Sequence, residues 1–307
     1  VRTYLKAIAP IKDAPENLIV STGFAVVRPS KDIDANYLSY FLQNQSFVEL
    51  VVANSVGVSY PAINASDLVC IPAYYPKCLS EQRQIAAFLD YKTQQIDELI
   101  EKKIAVIEKL EENRIAVITQ AVTKGINENV TLNPSNVDWL GDVPEHWKVE
   151  KLKFHVTVKG GGTPSTDKFE YWDGDIPWVS PKDMKSEVIC ETKDYITEIG
   201  LENSSASMVD KGSVLIVVRS GILKHSIPVA INSVPVTLNQ DMKAISVNKL
   251  SLFAEYLQAL IYGLQEPLLD TWSKPGCTVE SIESNWMMNT LITLPPIDEQ
   301  KEITEYI

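Results

Sequence analysis

Little in this sequence suits metal binding or catalysis. Its 307 residues include three histidines and four cysteines. Cys70, Cys78, Cys190 and Cys277 form no C-x-x-C pair and have no histidine at zinc-ligand spacing, so the expectation is four reduced, mostly buried thiols. His146, His155 and His225 are scattered, with no triad pattern around them. No run approaches the roughly 18 to 20 apolar residues of a membrane span, and no charged start with an apolar core opens the chain, so a cytoplasmic protein without membrane contact is expected. Positive charge is also scarce. Against 40 Asp and Glu stand 28 Lys and Arg, a net charge of −12. A free-standing nucleic-acid binder is usually basic, because phosphate neutralisation supplies much of its affinity. The acidic surplus is uneven, however: Glu98, Glu101, Glu108, Glu111 and Glu112 share one segment, while Lys148, Lys151, Lys153 and Lys159 gather in another.

Three near-motifs fall short of chemistry. The loop Gly160-Gly161-Gly162-Thr163-Pro164-Ser165 lacks the Lys-Ser/Thr that completes a phosphate-binding loop. Asn133-Pro134-Ser135-Asn136 lacks the second proline and the aromatic of an amino-methyltransferase motif. Asp173 with Asp175, and Asp183 after Lys182, lack the Glu-x-Lys companion that holds Mg²⁺ in a nuclease. No catalytic residue, metal site or bound cofactor is expected.

What the chain does contain is part of itself twice. A shift of 219 positions lays Tyr37-Leu38 on Tyr256-Leu257, Gly57 on Gly276, Ile63 on Ile282 and Pro76 on Pro295. With one residue removed, Glu81-Gln82-Arg83 falls on Glu299-Gln300-Lys301 and Ile85 on Ile303; upstream, Val1-Arg2-Thr3 faces Val218-Arg219-Ser220. Solenoid repeats have periods of about 20 to 50 residues, so this is a duplicated domain instead. A duplicated domain suits a two-part target. By the same arithmetic the first copy is expected to begin about 80 residues before Val1, so the chain reads as a fragment.

A mixed α/β fold follows, in five parts. Residues 1–78 read as strand, strand, helix, helix and strand, with Leu18 to Val27 β-rich and Ile33 to Gln43 helical after Asp32 or Asp34 as cap. Residues 79–124 form one long helix, capped by Ser80 and stopped by Gly125, with no internal Pro or Gly. About 43 residues at 1.5 Å each make a rod of roughly 65 Å. Its apolar stripe, including Ile85, Leu89, Ile96, Leu99, Ile107 and Leu110, is wide enough to need a packing partner. Residues 125–147 read as a linker, 148–296 as a second mixed domain with strands at Val149 to Val158, Val214 to Val218 and Lys243 to Val247, and 297–307 as the start of a second long helix.

Candidates for nucleic-acid contact are Arg219, Ser220, Lys224, Lys182, Lys159, Thr163, Arg2 and Thr3. Arg219 ends a buried strand and recurs as Arg2, and the neighbouring hydroxyls can bond base edges or phosphates. A strand end meeting solvent, with the arginine in a structural ion pair, explains the same pattern. Asn239-Gln240-Asp241 is a further polar candidate that a turn explains equally well.

Several segments together carry a resemblance: Trp139-Leu140-Gly141-Asp142-Val143-Pro144-Glu145-His146-Trp147, then Lys151-Leu152-Lys153, Gly161-Gly162-Thr163-Pro164-Ser165, Tyr171-Trp172, Gly174-Asp175-Ile176-Pro177-Trp178-Val179, and the Pro-Pro-x-x-Glu-Gln exit from Pro295 to Gln300. In this combination the chain resembles the specificity (S) subunits of type I restriction-modification systems. The resemblance implies two target recognition domains, of which residues 1–78 are the C-terminal part of the first, each reading half of a split double-stranded DNA site. It also implies that coiled-coil-forming helices pack antiparallel, set the spacing between halves and dock methyltransferase (M) subunits, with a restriction (R) subunit joining for cleavage. S-adenosylmethionine, ATP and Mg²⁺ would then belong to partners, and shared clamping of DNA would answer the acidic charge. Pairing of the long helix with a second copy of the chain is an alternative to an intramolecular partner. A protein-binding helical adaptor and the C-terminal part of a fused restriction-methylation enzyme are the competing readings.

Overall fold

The computed structural model describes the whole chain apart from Val1, Tyr4, Lys12, Asp13, Ala14, Val58, Ser59 and Cys277. The expected thiol of Cys277 and the match of Val1 to Val218 therefore lie outside the described residues. The other three cysteines, expected to be mostly buried, are exposed free thiols, because each stands in a connecting segment rather than on a core face. The chain divides into two units, Val1–Ile107 and Glu108–Ile307.

In the first unit, α1 (Ala35–Gln43), α2 (Gln45–Ala53) and α3 (Ala65–Leu68) precede α4 (Leu79–Lys124). Of the two candidate caps of α1, Asp34 serves: its carboxylate accepts from the N–H groups of Asn36 and Tyr37, filling two orphan donors of the first turn. It also pairs with Arg83 at 3.3 Å, and the Tyr40 hydroxyl donates to Asp90 at 2.7 Å, so α1 is tied to α4. The strands expected in residues 1–78 do not form among the described residues. Leu18 to Val27 leaves Ile19 90% and Phe24 57% exposed, and only the isolated bridges Arg2 to Ala62 and Val56 to Ala62 remain. Strand propensity is a fit to a pleated neighbour, and this segment has no ladder to join.

The long helix α4 is unbroken for 46 residues. Ser80, the expected cap, lies inside its first turn; Cys78 precedes the helix, and its carbonyl accepts from the Gln82 N–H at 3.1 Å. The last turns of α4 belong to the second unit, where Ile118, Ala121 and Val122 are buried. A helix leaves its last four carbonyls without intrahelical partners. That of Val122 is supplied by the hydroxyls of Tyr256 at 3.1 Å and Thr293 at 2.7 Å. Burial pushes the Tyr256 phenol well above its ordinary pKa, so it stays a donor.

The segment expected as a linker is packed. It holds the hairpin β1 (Leu132–Pro134) with β2 (Asp142–Pro144), and Leu140, Val143 and Trp147 enter the core. Next come β3 (Lys148–Lys151), β4 (Val156–Gly160), β5 (Trp172–Val179), β6 (Val188–Ile189), β7 (Asp194–Ile196), α5 (Glu198–Glu202), β8 (Val214–Val217), β9 (Val229–Asn232), β10 (Thr237–Leu238) and β11 (Met242–Val247). The helices α6 (Ala254–Gly263), α7 (Gln265–Trp272) and α8 (Ser284–Asn289), the strand β12 (Leu291–Leu294) and α9 (Ile297–Tyr306) complete it. One sheet runs β4-β11-β8-β9-β6, a second runs β10-β5-β7, and β12 pairs antiparallel with β3. The continuous apolar run of β8 is explained by burial on both faces. Val214 and Ile216 join the cluster containing Tyr256, Leu257 and Trp272, while Leu215 and Val217 join Val179, Leu238 and Met242. Each such burial contributes roughly 1.5 to 3 kcal/mol.

The duplication in sequence is a duplication of hydrogen bonds. Gln82, fully buried, accepts from the Asp34 N–H at 2.8 Å and donates to the carbonyls of Asp32 and Pro76. Gln300, also fully buried, accepts from the Phe253 N–H at 2.8 Å and donates to those of Ser251 and Pro295. Each glutamine fastens the start of its own helix to the entry of an earlier one, α4 to α1 and α9 to α6. The repeated glycines Gly57 and Gly276 both take positive φ, 119° and 75°, which explains why glycine stands in both copies.

Candidate nucleic-acid interface

Strand register gathers the polar candidates of the second unit at one end of its sheets. Gly160 at the end of β4 lies opposite Lys243, and Val217 at the end of β8 lies opposite Met242. In the other sheet Val179 at the end of β5 lies beside Leu238, and its carbonyl accepts from the Asn239 N–H at 2.8 Å. The segments leaving these strands therefore meet: Gly161–Thr163, Ser180–Lys182, Arg219–Ser220 and Asn239–Asp241.

The triple-glycine loop serves close packing. A Cβ on Gly161 would stand 2.0 Å from the Asn239 carbonyl oxygen, and one on Gly162 would stand 2.3 Å from the Ser205 hydroxyl. Only glycine fits either place. The Gly162 N–H donates to the Leu238 carbonyl at 2.8 Å, and the Thr163 hydroxyl donates to the Gln240 side-chain oxygen. Thr163 thus reaches the site through Gln240. Ser180 is held by Asp183, whose carboxylate accepts from both its N–H and its hydroxyl at 2.8 Å, leaving Lys182 exposed on a fixed turn.

Arg219 follows buried Val218 and is itself 62% exposed at the side chain. Its guanidinium lies 3.9 Å from the Asp241 carboxylate, too loose and too wet to hold it fast. Ser220 caps the short turn Gly221–Lys224, and Lys224 at its end is exposed. Lys159 sits one residue before the end of β4 with its amine 3.4 Å from the Met208 carbonyl. In the first unit Arg2 is exposed and bridges to Ala62, but Thr3 is a correction to the expected set: it is 5% exposed, and its hydroxyl donates to the Pro61 carbonyl at 3.1 Å. Asn239-Gln240-Asp241, in sequence a further polar candidate that a turn explains equally well, stands beside these residues: Asp241 pairs with Arg219, and Gln240 accepts from Thr163.

Along α4, Ile85 and Leu89 are half-buried, whereas Ile96, Leu99, Ile107 and Leu110 are 53 to 60% exposed. The histidines have structural partners or lie at the surface: His146 bonds Glu299 at 2.8 Å, buried His155 lies between Ser251 and Glu150, and His225 is exposed. Among the described residues, no helix is long and apolar enough to cross a membrane.

Known proteins are similar to this chain in sequence and in fold. A 149-residue stretch is 41% identical to the type I restriction enzyme EcoR124I/EcoR124II specificity subunit of Escherichia coli, covering 48% of this chain and 37% of that protein. A 169-residue stretch is 34% identical to the MjaIX specificity subunit of Methanocaldococcus jannaschii, covering 53% and 38%. The chain thus spans under two fifths of the length of either relative. Among solved structures, one described as "Structural basis underlying complex assembly and conformational transition of the type I R-M system" matches with TM-score 0.66 at 19% identity, over 93% of this chain and 66% of that one. The HsdS subunit from Thermoanaerobacter tengcongensis matches with TM-score 0.52 at 20% identity, over 93% and 65%. At these identities the two structures establish the fold alone. The model of the type I restriction modification DNA specificity domain matches residues 6–109 and 144–307, and the chain belongs to that family.

Proposed function

We propose that this chain is a DNA-reading part of a type I specificity subunit, non-catalytic itself, with each unit contributing to recognition of one half of a split double-stranded site. The observation that carries the reading is the repeated construction: two family matches, and in each unit an arginine leaving a bridge beside a polar turn. In the second unit Arg219, Ser220, Lys182, Lys224 and Thr163 lie on strand ends or the segments that follow them, with Lys159 just behind; in the first, Arg2 takes the corresponding place. Backbone phosphates would be met by the lysines and base edges by the groups at the turn.

The exposed middle of α4 is the surface for methyltransferase subunits and for a second helix, from the same protein or from another copy. An R subunit would complete the assembly, and adenine methylation, S-adenosylmethionine, ATP and Mg²⁺ would be the partners' business, in the cytoplasm. Partners that share the phosphates reconcile DNA binding with a net charge of −12.

Long-read methylation mapping of cells expressing the full-length protein with its neighbouring methyltransferase tests this directly. A two-part adenine motif that depends on the specificity gene is expected. Soluble assembly without any new motif would favour the protein-binding adaptor.

A further inference from the structure

The two units share a turn whose frame is duplicated and whose tip is not. In the second unit the Asn239 side chain accepts from the Asp241 N–H at 2.6 Å, the Asn239 carbonyl accepts from the Met242 N–H at 3.0 Å, and the Asp241 carbonyl accepts from the Arg219 N–H at 3.3 Å. In the first unit the Ser21 hydroxyl accepts from the Gly23 N–H at 3.4 Å, the Ser21 carbonyl accepts from the Phe24 N–H at 3.0 Å, and the Gly23 carbonyl accepts from the Arg2 N–H at 2.9 Å. Each arginine then bridges to the segment that follows the repeated glycine, Arg219 to Ser281 and Arg2 to Ala62. A three-residue turn, fixed at both ends and placed against an arginine, therefore occurs twice. Its exposed tip is Gln240 in one unit and Thr22 in the other.

The second unit holds its tip further. Asn239 is fastened to Val179, the Gly161 backbone packs against residues 238 and 239 at distances that exclude any side chain, the Gly162 N–H donates to the Leu238 carbonyl, and Thr163 bonds the Gln240 amide oxygen. That bond uses one lone pair and restrains the side chain, leaving a lone pair and the amide NH₂ for a ligand. An amide with one acceptor and one donor side by side matches the N6 and N7 edge of adenine in the major groove. Restraint before binding reduces the entropy lost on contact. A turn built only to reverse the chain would not need this bracing.

We propose that Gln240 is a base-reading residue of the second unit, specifying adenine, and that Thr22 holds the equivalent reading position in the first. The inference rests on the DNA-reading function proposed above. Nothing in it requires the rest of the surface to be specific.

The test is methylation mapping in cells carrying the full-length protein and its methyltransferase partner, as wild type, Q240A, Q240E, T163V and T22A. With Q240A, one A·T position in one half of the motif relaxes and the other half is unchanged. Binding of the purified complex to a duplex of the mapped motif falls roughly 5- to 150-fold, and replacing that base pair costs nothing further. Q240E, which keeps the shape and can only accept, moves the preference at that position toward cytosine. T163V relaxes the same position as Q240A, and T22A relaxes one in the opposite half. An unchanged motif in both Gln240 variants overturns the assignment while leaving the DNA-reading function intact, as does a uniform loss of methylation with the motif preserved. Absence of any motif in the wild type retires the function and this assignment together.

Discussion

Arg219 illustrates how far a single residue can be read. Its recurrence as Arg2 and its place after a buried valine were visible in sequence; the looseness of its ion pair, 3.9 Å to Asp241, was not. An exposed pair of this kind contributes about 0 to 1 kcal/mol, so the guanidinium is free to exchange Asp241 for DNA. If it meets a guanine edge, Arg219→Ala weakens binding to the target by about 1 to 3 kcal/mol with little effect on random duplex. Titrations on both duplexes check this, and an equal loss on the two would make Arg219 a phosphate contact. Cys78 carries a different prediction. The Ser80 hydroxyl lies 2.9 Å from its sulfur and, with the backbone N–H groups of Glu81 and Ser80, holds the thiol below its ordinary pKa. A lowered pKa means more thiolate at neutral pH, so Cys78 should alkylate faster than the exposed Cys70 and Cys190 near pH 7, and the difference should narrow as pH rises. Peptide mapping after a timed iodoacetamide pulse decides it; Ser80→Ala should slow Cys78, and equal rates at all three thiols would contradict the account.

At the scale of elements, the two buried glutamines explain why Glu-Gln follows the proline-bearing exit in both copies. Removing the Gln300 amide leaves the Phe253 N–H and the Ser251 and Pro295 carbonyls without it in a buried site, and each group so orphaned costs about 1 to 3 kcal/mol. Gln300→Ala should therefore lower stability by several kcal/mol in urea melts, with Gln82→Ala acting on the first unit in the same way. A change below about 1 kcal/mol in either would show that water replaces the clamp. Regular elements were legible where their pattern is local: α4 needed only its three-and-four spacing, and β8 its β-branched run. The sheets' order was not legible, because strand pairing joins residues far apart, nor was the packing of 125–147, whose Asn, Pro and Gly suit a linker as well as a hairpin. Leu18 to Val27 misled for the opposite reason, since its composition satisfies a strand while its pairing does not. The middle of α4 offers one more test. Leu99 is 53% exposed, so Leu99→Asp should leave the thermal melt of the chain unchanged and abolish helix pairing or methyltransferase docking in size-exclusion chromatography. Retained assembly would move the interface elsewhere.

For the molecule as a whole, charge is the property that argued most strongly against its proposed function and that gives the sharpest prediction. Each phosphate neutralised by a Lys or Arg contributes a slope of about −0.9 to log K against log salt on duplex DNA. The second unit presents Arg219, Lys182 and Lys224 exposed on the segments that follow its strands, while the acidic residues of α4 lie on a different segment. Few phosphates are therefore within this chain's own reach, and a shallow salt dependence with weak binding is expected of it alone. Adding the methyltransferase subunits brings their cations to the same duplex, so the slope should steepen by several units as affinity rises. Fluorescence anisotropy on one labelled duplex, across a salt series with and without the partner, measures both slopes. Equal slopes would mean that the partner adds no phosphate contacts, and shared clamping could no longer reconcile the acidic surface with DNA recognition.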